Sequence, residues 1–522
     1  MGQPHHHFEK RRYPSDLVLV SAAAFCYLVA RACIQSVTID EADSFMTFAA
    51  GAMGDSWYPA SQNHLLNTLL ERLSWSIFGF NQVAMRLPAL LGAAIYLGSA
   101  VGICARFAGR VFRMLVFVCL VFNPFVLDYL VAARGYSLAV GFLLAAVAVF
   151  WWAIDREAEA DPASLRRGAL VSVLLALSFA ANFSFAIADI LAGVIFLLAA
   201  VIAEPGLSRR RIARIGISGT LPGAGVALFL CASVLFHWHS GELVYGAHSL
   251  REMWTSLFRA SFPPPNPEIV NPLLYRIWAG MGFPLCVVAI IFLCAQVAAV
   301  VSMPRIWGAT ELRPTACIAI ALGSIILLAV ALHWAAFHAA GLLLPEARTG
   351  LFFAPLLTLL FAASADVLRR QPGLRRLSIP AVAILAVCSV YFSSGLRLHY
   401  FQQWWFNEDT KNVFWVMRDI EHRCGVHEFV TEWYYVATLN FYRRQYENET
   451  MIPFSSAHKD SLPKGKGAYV VYYPDDENFL KENGLSVWYH NWRTGAAVAV
   501  RACPERVVAH VGEQINSGGS VR

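Results

Sequence analysis

Residues 16–43 read DLVLVSAAAFCYLVARACIQSVTIDEAD. The first twenty-three are apolar enough and long enough to cross a bilayer as a helix, which needs about 20 residues. The last six, Thr38-Ile39-Asp40-Glu41-Ala42-Asp43, place three carboxylates within four residues at the point where that helix should leave the membrane. A basic segment (Lys10, Arg11, Arg12) precedes the apolar run, as in a cleavable signal peptide. No small-x-small cleavage site follows, however, and Arg31 interrupts the end of the run, so it is expected to remain as an anchor.

Working outward, further mostly apolar stretches fall at 83–104, 113–131, 135–153, 168–183, 185–203, 215–237, 275–300, 314–338, 350–368 and 378–395. The chain is 57% hydrophobic and 15% charged, well below the roughly 25% charge of soluble proteins. This excludes a soluble enzyme, a fibrous protein and a disordered chain. The expected fold is a polytopic α-helical membrane protein with about eleven transmembrane helices. Arginine clusters (Arg106/Arg110/Arg113, Arg156/Arg166/Arg167, Arg209/Arg210/Arg211/Arg214, Arg305/Arg313, Arg369/Arg370/Arg375/Arg376) occupy alternate loops. The positive-inside rule makes those loops cytoplasmic. The amino terminus is then cytoplasmic and the carboxyl-terminal region periplasmic or extracellular, in a multi-pass protein of the bacterial inner membrane. The net charge of +6 records this topology, since the tail after 393 is close to neutral, and it does not point to nucleic acid as a partner.

Past residue 395 polar residues return, dividing the chain into a transmembrane region, 1–395, and a small extracytoplasmic α/β domain, 396–522. The latter is predicted to contain a helix over Glu408–Arg423, strands over His427–Val436 and Ala468–Tyr473, and a short helix over Asp476–Asn483. A hairpin, Ser486–His490 with Ala496–Ala502, is expected around Arg493-Thr494-Gly495. Nine cysteines lie in or near the spans, where thiols behave as small apolar groups. Cys424 and Cys503 are the two in the outer domain, and a disulfide between them suits an oxidising compartment. The run His5–His7 is read as inert.

The chemistry is sought among charges that a bilayer does not tolerate unless they are solvated or used. Asp40, Glu41 and Asp43 are either a polar cap or a general base at the rim of a cavity. In a helix Asp40 and Asp43 share one face, with Glu41 about 100° away. The same loop continues through Asn63-His64, and Leu65, Leu66, Leu69, Leu70, Leu73 and Ile77 predict a helix lying on the membrane surface. Asp128 and Arg134, at the ends of neighbouring spans, either pair with each other or supply a carboxylate and an anion clamp; Tyr136 adjoins them. Arg348 follows Leu344-Pro345, and arginine suits a phosphate through parallel hydrogen bonds. Asp189 lies within the sixth span. Residues 238–274, with His237, His239 and His248, look like a gating or acceptor-binding element without metal-site spacing.

These features resemble the GT-C superfamily of membrane glycosyltransferases, in the branch near protein O-mannosyltransferases and aminoarabinose transferases. The resemblance covers most of the membrane region. It rests on Asp40-Glu41, Asn63-His64, Phe78-Gly79 with Arg86-Leu87-Pro88, Ala133-Arg134-Gly135-Tyr136, and Leu344-Pro345 with Arg348. It implies that Asp40 activates an acceptor, with Glu41 supporting, while Arg134, Arg348 or both hold the phosphate of a polyprenyl-phosphate sugar. Asp43, Asn63, His64, Asp128 and Tyr136 are the remaining substrate-binding candidates. His64 is followed by Leu65-Leu66 where the mannosyltransferases have a His-Pro-Pro stretch, so their sugar and acceptor do not carry over.

The implied reaction is an inverting hexosyl or pentosyl transfer from lipid phosphate to a hydroxyl of a glycan, lipid or protein acceptor at the outer face. No cofactor is required by the sequence, and a divalent cation near Glu41 and His64 is left open. The rival class is a transporter or flippase for a lipid-linked or charged saccharide. It would place its charges near the midplane and often in repeated halves, neither of which the sequence shows.

Overall fold

The structure is a computed structural model, described for residues 14–154, 162–202, 208–238, 245–302, 312–371, 374–456, 468–472 and 477–501. Lys10, Arg11, Arg12, Arg156, Arg305, His5–His7, His239 and Cys503 lie outside these residues. Two compact units divide the chain: Met1–Ile34 with Thr47–Leu398, and Gln35–Met46 with His399–Arg522.

The first unit is a polytopic bundle of helices. In chain order its helices are α1 (Ser15–Ile34), α3 (Leu65–Phe78), α4 (Gln82–Cys104), α5 (Arg110–Val121), α6 (Pro124–Tyr129), α7 (Tyr136–Ile154), α8 (Pro162–Ala181), α9 (Ala186–Ile202), α10 (Arg209–Phe236), α11 (Leu250–Ser261), α12 (Pro272–Gly280), α13 (Gly282–Ser302), α14 (Arg313–Ala340), α15 (Phe353–Arg370) and α16 (Ile379–Ser394). The helix α2 (Ile39–Ser44) belongs to the second unit. Among the described residues, eight helical stretches are long and apolar enough to cross a membrane. Of the three other expected spans, 168–183 is α8 and 378–395 is the 16-residue α16.

The span expected at 113–131 is not one helix. Helix α5 stops at Val121, and the chain restarts at Asn123-Pro124, where the Asn123 side-chain Oδ1 accepts from the backbone amides of Phe125 and Val126. An Asn cap followed by Pro at the first helical position is a start signal, and hydropathy alone does not register it. Large apolar side chains stand outward, such as Phe229 at 86% exposure and Phe236 at 83% on α10. A surface of this kind is stable against lipid and not against water.

Small residues set the helix spacing. A Cβ at Gly92 of α4 would come within 2.5 Å of the backbone at Ser137 and Leu138 of α7, and one at Gly141 within 2.6 Å of the Gly92 carbonyl. The two helices therefore touch backbone to backbone, as small-residue stripes permit in membranes. The Ser137 hydroxyl adds a 2.6 Å bond to the Ala89 carbonyl.

The end of α1 comes at Ile34, four residues short of the predicted end of the span. The last carbonyls of a helix lack internal partners. Here Gln82 Nε2 donates to the Ala32 and Cys33 carbonyls at 3.1 and 2.7 Å, and Arg86 donates to that of Ala32 at 3.0 Å. The arginine of the Arg86-Leu87-Pro88 motif, fully buried, is thus a structural cap.

Helix α3 forms where its stripe predicts, yet its faces carry a second message. Leu73, Ile77 and Phe78 are exposed, while Asn67, Thr68, Glu71 and Ser74 are buried. Asn67 donates to Glu71 at 2.7 Å and Ser74 to the Ala84 carbonyl at 2.6 Å. Polar groups face protein and apolar groups face outward, the arrangement expected of a helix in contact with lipid.

In the second unit a five-stranded sheet has the order β2-β1-β3-β5-β4. The strands are β1 (Phe429–Thr431), β2 (Ser455–Ser456), β3 (Ala468–Tyr472), β4 (Ser486–His490) and β5 (Ala496–Val500). β1 pairs in parallel with β2 and β3, and β5 pairs antiparallel with β3 and β4. The hairpin turns at Gly495, in the left-handed region at φ 73°. Helices α17 (Thr410–Cys424), α18 (Trp433–Gln445) and α19 (Glu477–Glu482) accompany the sheet. The strand predicted over His427–Val436 is corrected: it ends at Thr431, and Trp433–Val436 open α18. Their aromatic and β-branched character favours a strand locally. Burial of Tyr435, Leu439 and Tyr442 at helical spacing decides the outcome. Cys424 is disulfide-bonded, and nine cysteines of the first unit are free thiols.

Replacing Arg86 with Met should remove one of the two donors to the buried Ala32 carbonyl and cost about 1–3 kcal/mol, measured as a lowered thermal midpoint in detergent. An unchanged midpoint would show that Gln82 suffices alone.

Candidate functional site

The candidate residues fall into two groups, one in each unit. In the first unit four of them come together: His64, Arg134, Tyr136 and Arg348. His64 sits at the N-cap of α3 without making a side-chain capping bond. Its ring meets Tyr136 edge-on at 5.3 Å between centroids, and Tyr136 meets Tyr129 at 4.8 Å. His64 is buried and its Nε2 has no hydrogen-bond partner among the described residues. Burial, followed by the positive charges of Arg134 and Arg348, holds its pKa well below the ordinary imidazole value. Two guanidinium groups distant in sequence therefore act on one neutral imidazole.

The backbone around this cluster is tightly specified. A Cβ at Gly135 would collide with the Ala181 carbonyl and approach the His64 Cβ to 2.9 Å, so the residue between Arg134 and Tyr136 must be glycine. Arg348 lies over the Tyr245 ring at 4.5 Å. Its short helical turn, Ala347–Gly350, is held by a 2.9 Å bond from the Ala347 amide to Ser256 of α11. The bridge between Ala247 and Leu344 joins the two loops that carry Tyr245 and Arg348. Ala347 has φ 41°, a left-handed conformation unusual outside glycine, and such outliers persist where the surroundings fix them.

Next to this turn lies a cavity of about 640 Å³. Its walls come from α5, α11, α13, α15 and α16 and include Trp254, Leu257, Phe283, Phe353, Phe361 and Phe392, with Asn123 and Arg259 among its few polar groups. Ser256, which fixes the Arg348 turn, is flanked in sequence by Thr255 and Leu257 of the cavity wall. A mostly apolar cavity thus adjoins the turn that carries Arg348.

Other candidates in this unit are occupied structurally. Asp128 pairs with Arg31 at 2.6 Å, both buried, and Arg31 also donates to the Leu127 carbonyl at 3.1 Å. The Asn63 amide donates to the Ser56 and Tyr58 carbonyls at 2.9 and 2.8 Å and accepts from Thr68 at 2.8 Å. Arg72 binds the carbonyls of Phe48, Gly51 and Ala52 together with the Ser56 hydroxyl, and so organises that loop.

In the second unit Asp40, Glu41 and Asp43 lie on α2. Thr38 is its N-cap, and the capping box is complete: the Glu41 amide donates to Thr38 Oγ1 at 3.2 Å, and the Thr38 amide to Glu41 Oε2 at 2.9 Å. Glu41 is fully buried, Asp40 is half-buried and Asp43 is exposed. The helical expectation that Asp40 and Asp43 share a face away from Glu41 agrees with this. Glu41 is engaged in shaping the turn that presents Asp40. Among the described residues no group of three or more His, Cys, Asp or Glu is placed to hold a metal ion. The two candidates for a cation, Glu41 and His64, belong to different units, and no step below is routed through one.

Three partners lie outside the residues expected from sequence: Arg31, which pairs with Asp128, and Asn407 and Tyr442, which bond the acidic segment. For Arg31 the signal was present as a charge inside an apolar run; the other two carry no local signal.

No family model matches the chain, and no curated protein matches it. It is similar to several solved structures, among them these three. ArnT from Cupriavidus metallidurans, bound to undecaprenyl phosphate, is 15% identical with a TM-score of 0.44, covering 94% of this chain and 98% of that one. The archaeal oligosaccharyltransferase AglB from Archaeoglobus fulgidus, in complex with an inhibitory peptide and a dolichol-phosphate, is 9% identical with a TM-score of 0.44, covering 81% and 63%. The arabinofuranosyltransferase AftD from Mycobacteria is 12% identical with a TM-score of 0.45, covering 94% and 40%.

Two outcomes follow from the geometry. Asp128→Asn leaves Arg31 buried beside a neutral partner and should destabilise the protein by about 3–5 kcal/mol. The double variant Arg31→Met/Asp128→Leu should cost much less than the two single changes summed. Additive effects in that cycle would show the pair to be uncoupled. For His64, the unfolded chain binds a proton near pH 6.5 that the folded chain refuses. Its stabilising contribution is thus complete above about pH 6.5 and declines as pH falls below it. The thermal midpoint should therefore drop more between pH 7.5 and 5.5 in the wild type than in His64→Gln. Equal drops would contradict the assignment.

Proposed function

We propose that this protein is an inverting glycosyltransferase that moves a hexosyl or pentosyl unit from a polyprenyl-phosphate donor to an acceptor hydroxyl at the outer face of the membrane. The observation that carries this reading is the pairing of chemistries in the first unit: Arg134 and Arg348 around a neutral, buried His64, beside an apolar cavity of about 640 Å³. A soluble sugar nucleotide has no use for such a cavity, and a neutral lipid has no use for two guanidinium groups.

Each residue then has a task. Arg134 and Arg348 hold the donor phosphate and stabilise the negative charge that grows on it as the glycosidic bond breaks, the point at which fixed cations contribute most. His64, kept neutral by its surroundings, offers a hydrogen bond through Nε2 without adding charge. The acceptor is a glycan, lipid or protein hydroxyl. Asp40 accepts its proton as the oxygen attacks the anomeric carbon, and the pair of electrons in the broken bond leaves with the lipid phosphate. One displacement inverts the anomeric centre. Glu41 keeps the turn that presents Asp40, and Asp43, exposed on the same face, lies where an acceptor approaches. Outward presentation of the site follows from the arginine asymmetry of the loops, with the carboxyl-terminal domain periplasmic or extracellular.

Purified protein in detergent or liposomes should release polyprenyl phosphate from its glycosylated form when acceptor is supplied. Asp40→Asn should reduce turnover by at least roughly 100-fold, the range expected for loss of a general base, with donor binding retained. Wild-type turnover in Asp40→Asn would remove Asp40 from the chemistry. Movement of the intact lipid-linked sugar across the bilayer, without transfer, would replace the enzyme with a transporter.

A further inference from the structure

The segment that carries Asp40 is built into the carboxyl-terminal unit. Gln35–Met46 belongs with His399–Arg522, and the bonds that tie it there are directed at its backbone. The Val37 amide donates to the Tyr442 hydroxyl at 2.8 Å, and the Ile39 amide to Asn407 Oδ1 at 3.0 Å. Just before them in the chain, Gln35 Nε2 donates to the Tyr400 carbonyl at 2.9 Å, and the Ser36 hydroxyl to the Glu408 carbonyl at 2.6 Å while accepting from the Lys411 amide at 3.3 Å. Phe45 packs edge-on against Phe441, centroids 5.9 Å apart.

These contacts solve a specific problem. The first amides of a helix have no internal partner, and α2 has only six residues, too few to hold its shape unaided. Within the segment the Thr38 amide goes to Glu41 and the Glu41 amide to Thr38. The flanking amides of Val37 and Ile39 go to side chains of the carboxyl-terminal unit. Both acceptors are rigid. Tyr442 is fully buried and stacks on Tyr446 at 6.2 Å and 16°. Asn407 is buried, with its amide nitrogen directed to Thr410 Oγ1 and the Tyr434 carbonyl. The amides they fix lie three residues and one residue before Asp40.

We propose that Tyr442 and Asn407 are positioning residues for Asp40, so that the carboxyl-terminal unit sets the geometry of the base and is not an accessory cover. This rests on the reading of Asp40 as the base. A carboxylate displaced by about 1 Å loses up to roughly 100-fold in rate. Loss of one of two anchoring bonds should therefore lower turnover while leaving donor binding intact.

The test uses the full chain with Tyr442→Phe, which keeps the buried ring, and Asn407→Ala. Hydrogen exchange first reads the contact itself: the amides of Val37 and Ile39 should exchange faster in the respective variants. Turnover is then counted per donor-binding site, with sites titrated by labelled polyprenyl phosphate, so that a misfolded fraction does not count. We expect turnover per site to fall roughly 10-fold or more in each variant, with KM for donor within about twofold. Faster exchange with wild-type turnover per site would overturn the proposal. So would an unchanged exchange rate in Tyr442→Phe. Asp40→Asn, run in parallel, separates the two levels. If it is inactive while the positioning variants are normal, only the positioning fails. If it is active, the base assignment fails first.

Discussion

A helix that leaves a bilayer must hand its last carbonyls, and any charge it carries, to partners supplied by the protein, because hydrocarbon offers none. The carboxyl-terminal end of α1 meets this demand with partners from two other helices. Gln82 and Arg86 take the carbonyls of Ala32 and Cys33, and Asp128 takes the guanidinium of Arg31. Those three partners come from α4 and α6, so satisfying one helix end fixes three elements together. From α6 the chain runs through Arg134-Gly135-Tyr136, whose glycine lets His64 and the end of α8 close in. The same requirement for buried polar satisfaction that stabilises the bundle thus assembles the wall on which the cationic cluster stands.

The electrostatics of that cluster follow from its burial. The positive charges of Arg134 and Arg348 both disfavour a protonated histidine at this point. Desolvation and both charges push the imidazole to its neutral form, which leaves Arg134 and Arg348 as the sources of positive charge at that point. An anionic ligand is the natural complement. The neighbouring cavity adds the second requirement, since its aromatic and aliphatic walls select a ligand with a long apolar portion. Under the proposed function, the two features together suit a lipid phosphate better than either does alone.

The membrane helices were legible because apolar runs of bilayer length leave few alternatives, and the hairpin because Arg493-Thr494-Gly495 interrupts two alternating strands. What stayed hidden was whatever depends on distant partners. Asn123-Pro124 breaks an apolar run that hydropathy reads as continuous. Trp433–Val436 favours a strand in isolation and becomes helix because Tyr435, Leu439 and Tyr442 share one buried face. The charges Asp40, Arg134 and Arg348 stood out as residues a bilayer does not tolerate, but convergence on His64 is a tertiary fact. The tie between Val37 and Tyr442 spans 405 residues, and no local pattern announces it. Asp128 was visible as a charge in an apolar context, and its partner, Arg31, had been read only as the end of a span.

Binding of a lipid phosphate at the arginine cluster is tested most directly by an experimental structure with a polyprenyl phosphate bound. The predicted result is phosphate within hydrogen-bond reach of Arg134 or Arg348, with the hydrocarbon chain leading into the cavity lined by Trp254, Leu257 and Phe353. Lipid bound elsewhere, with its phosphate away from both arginines, would contradict it.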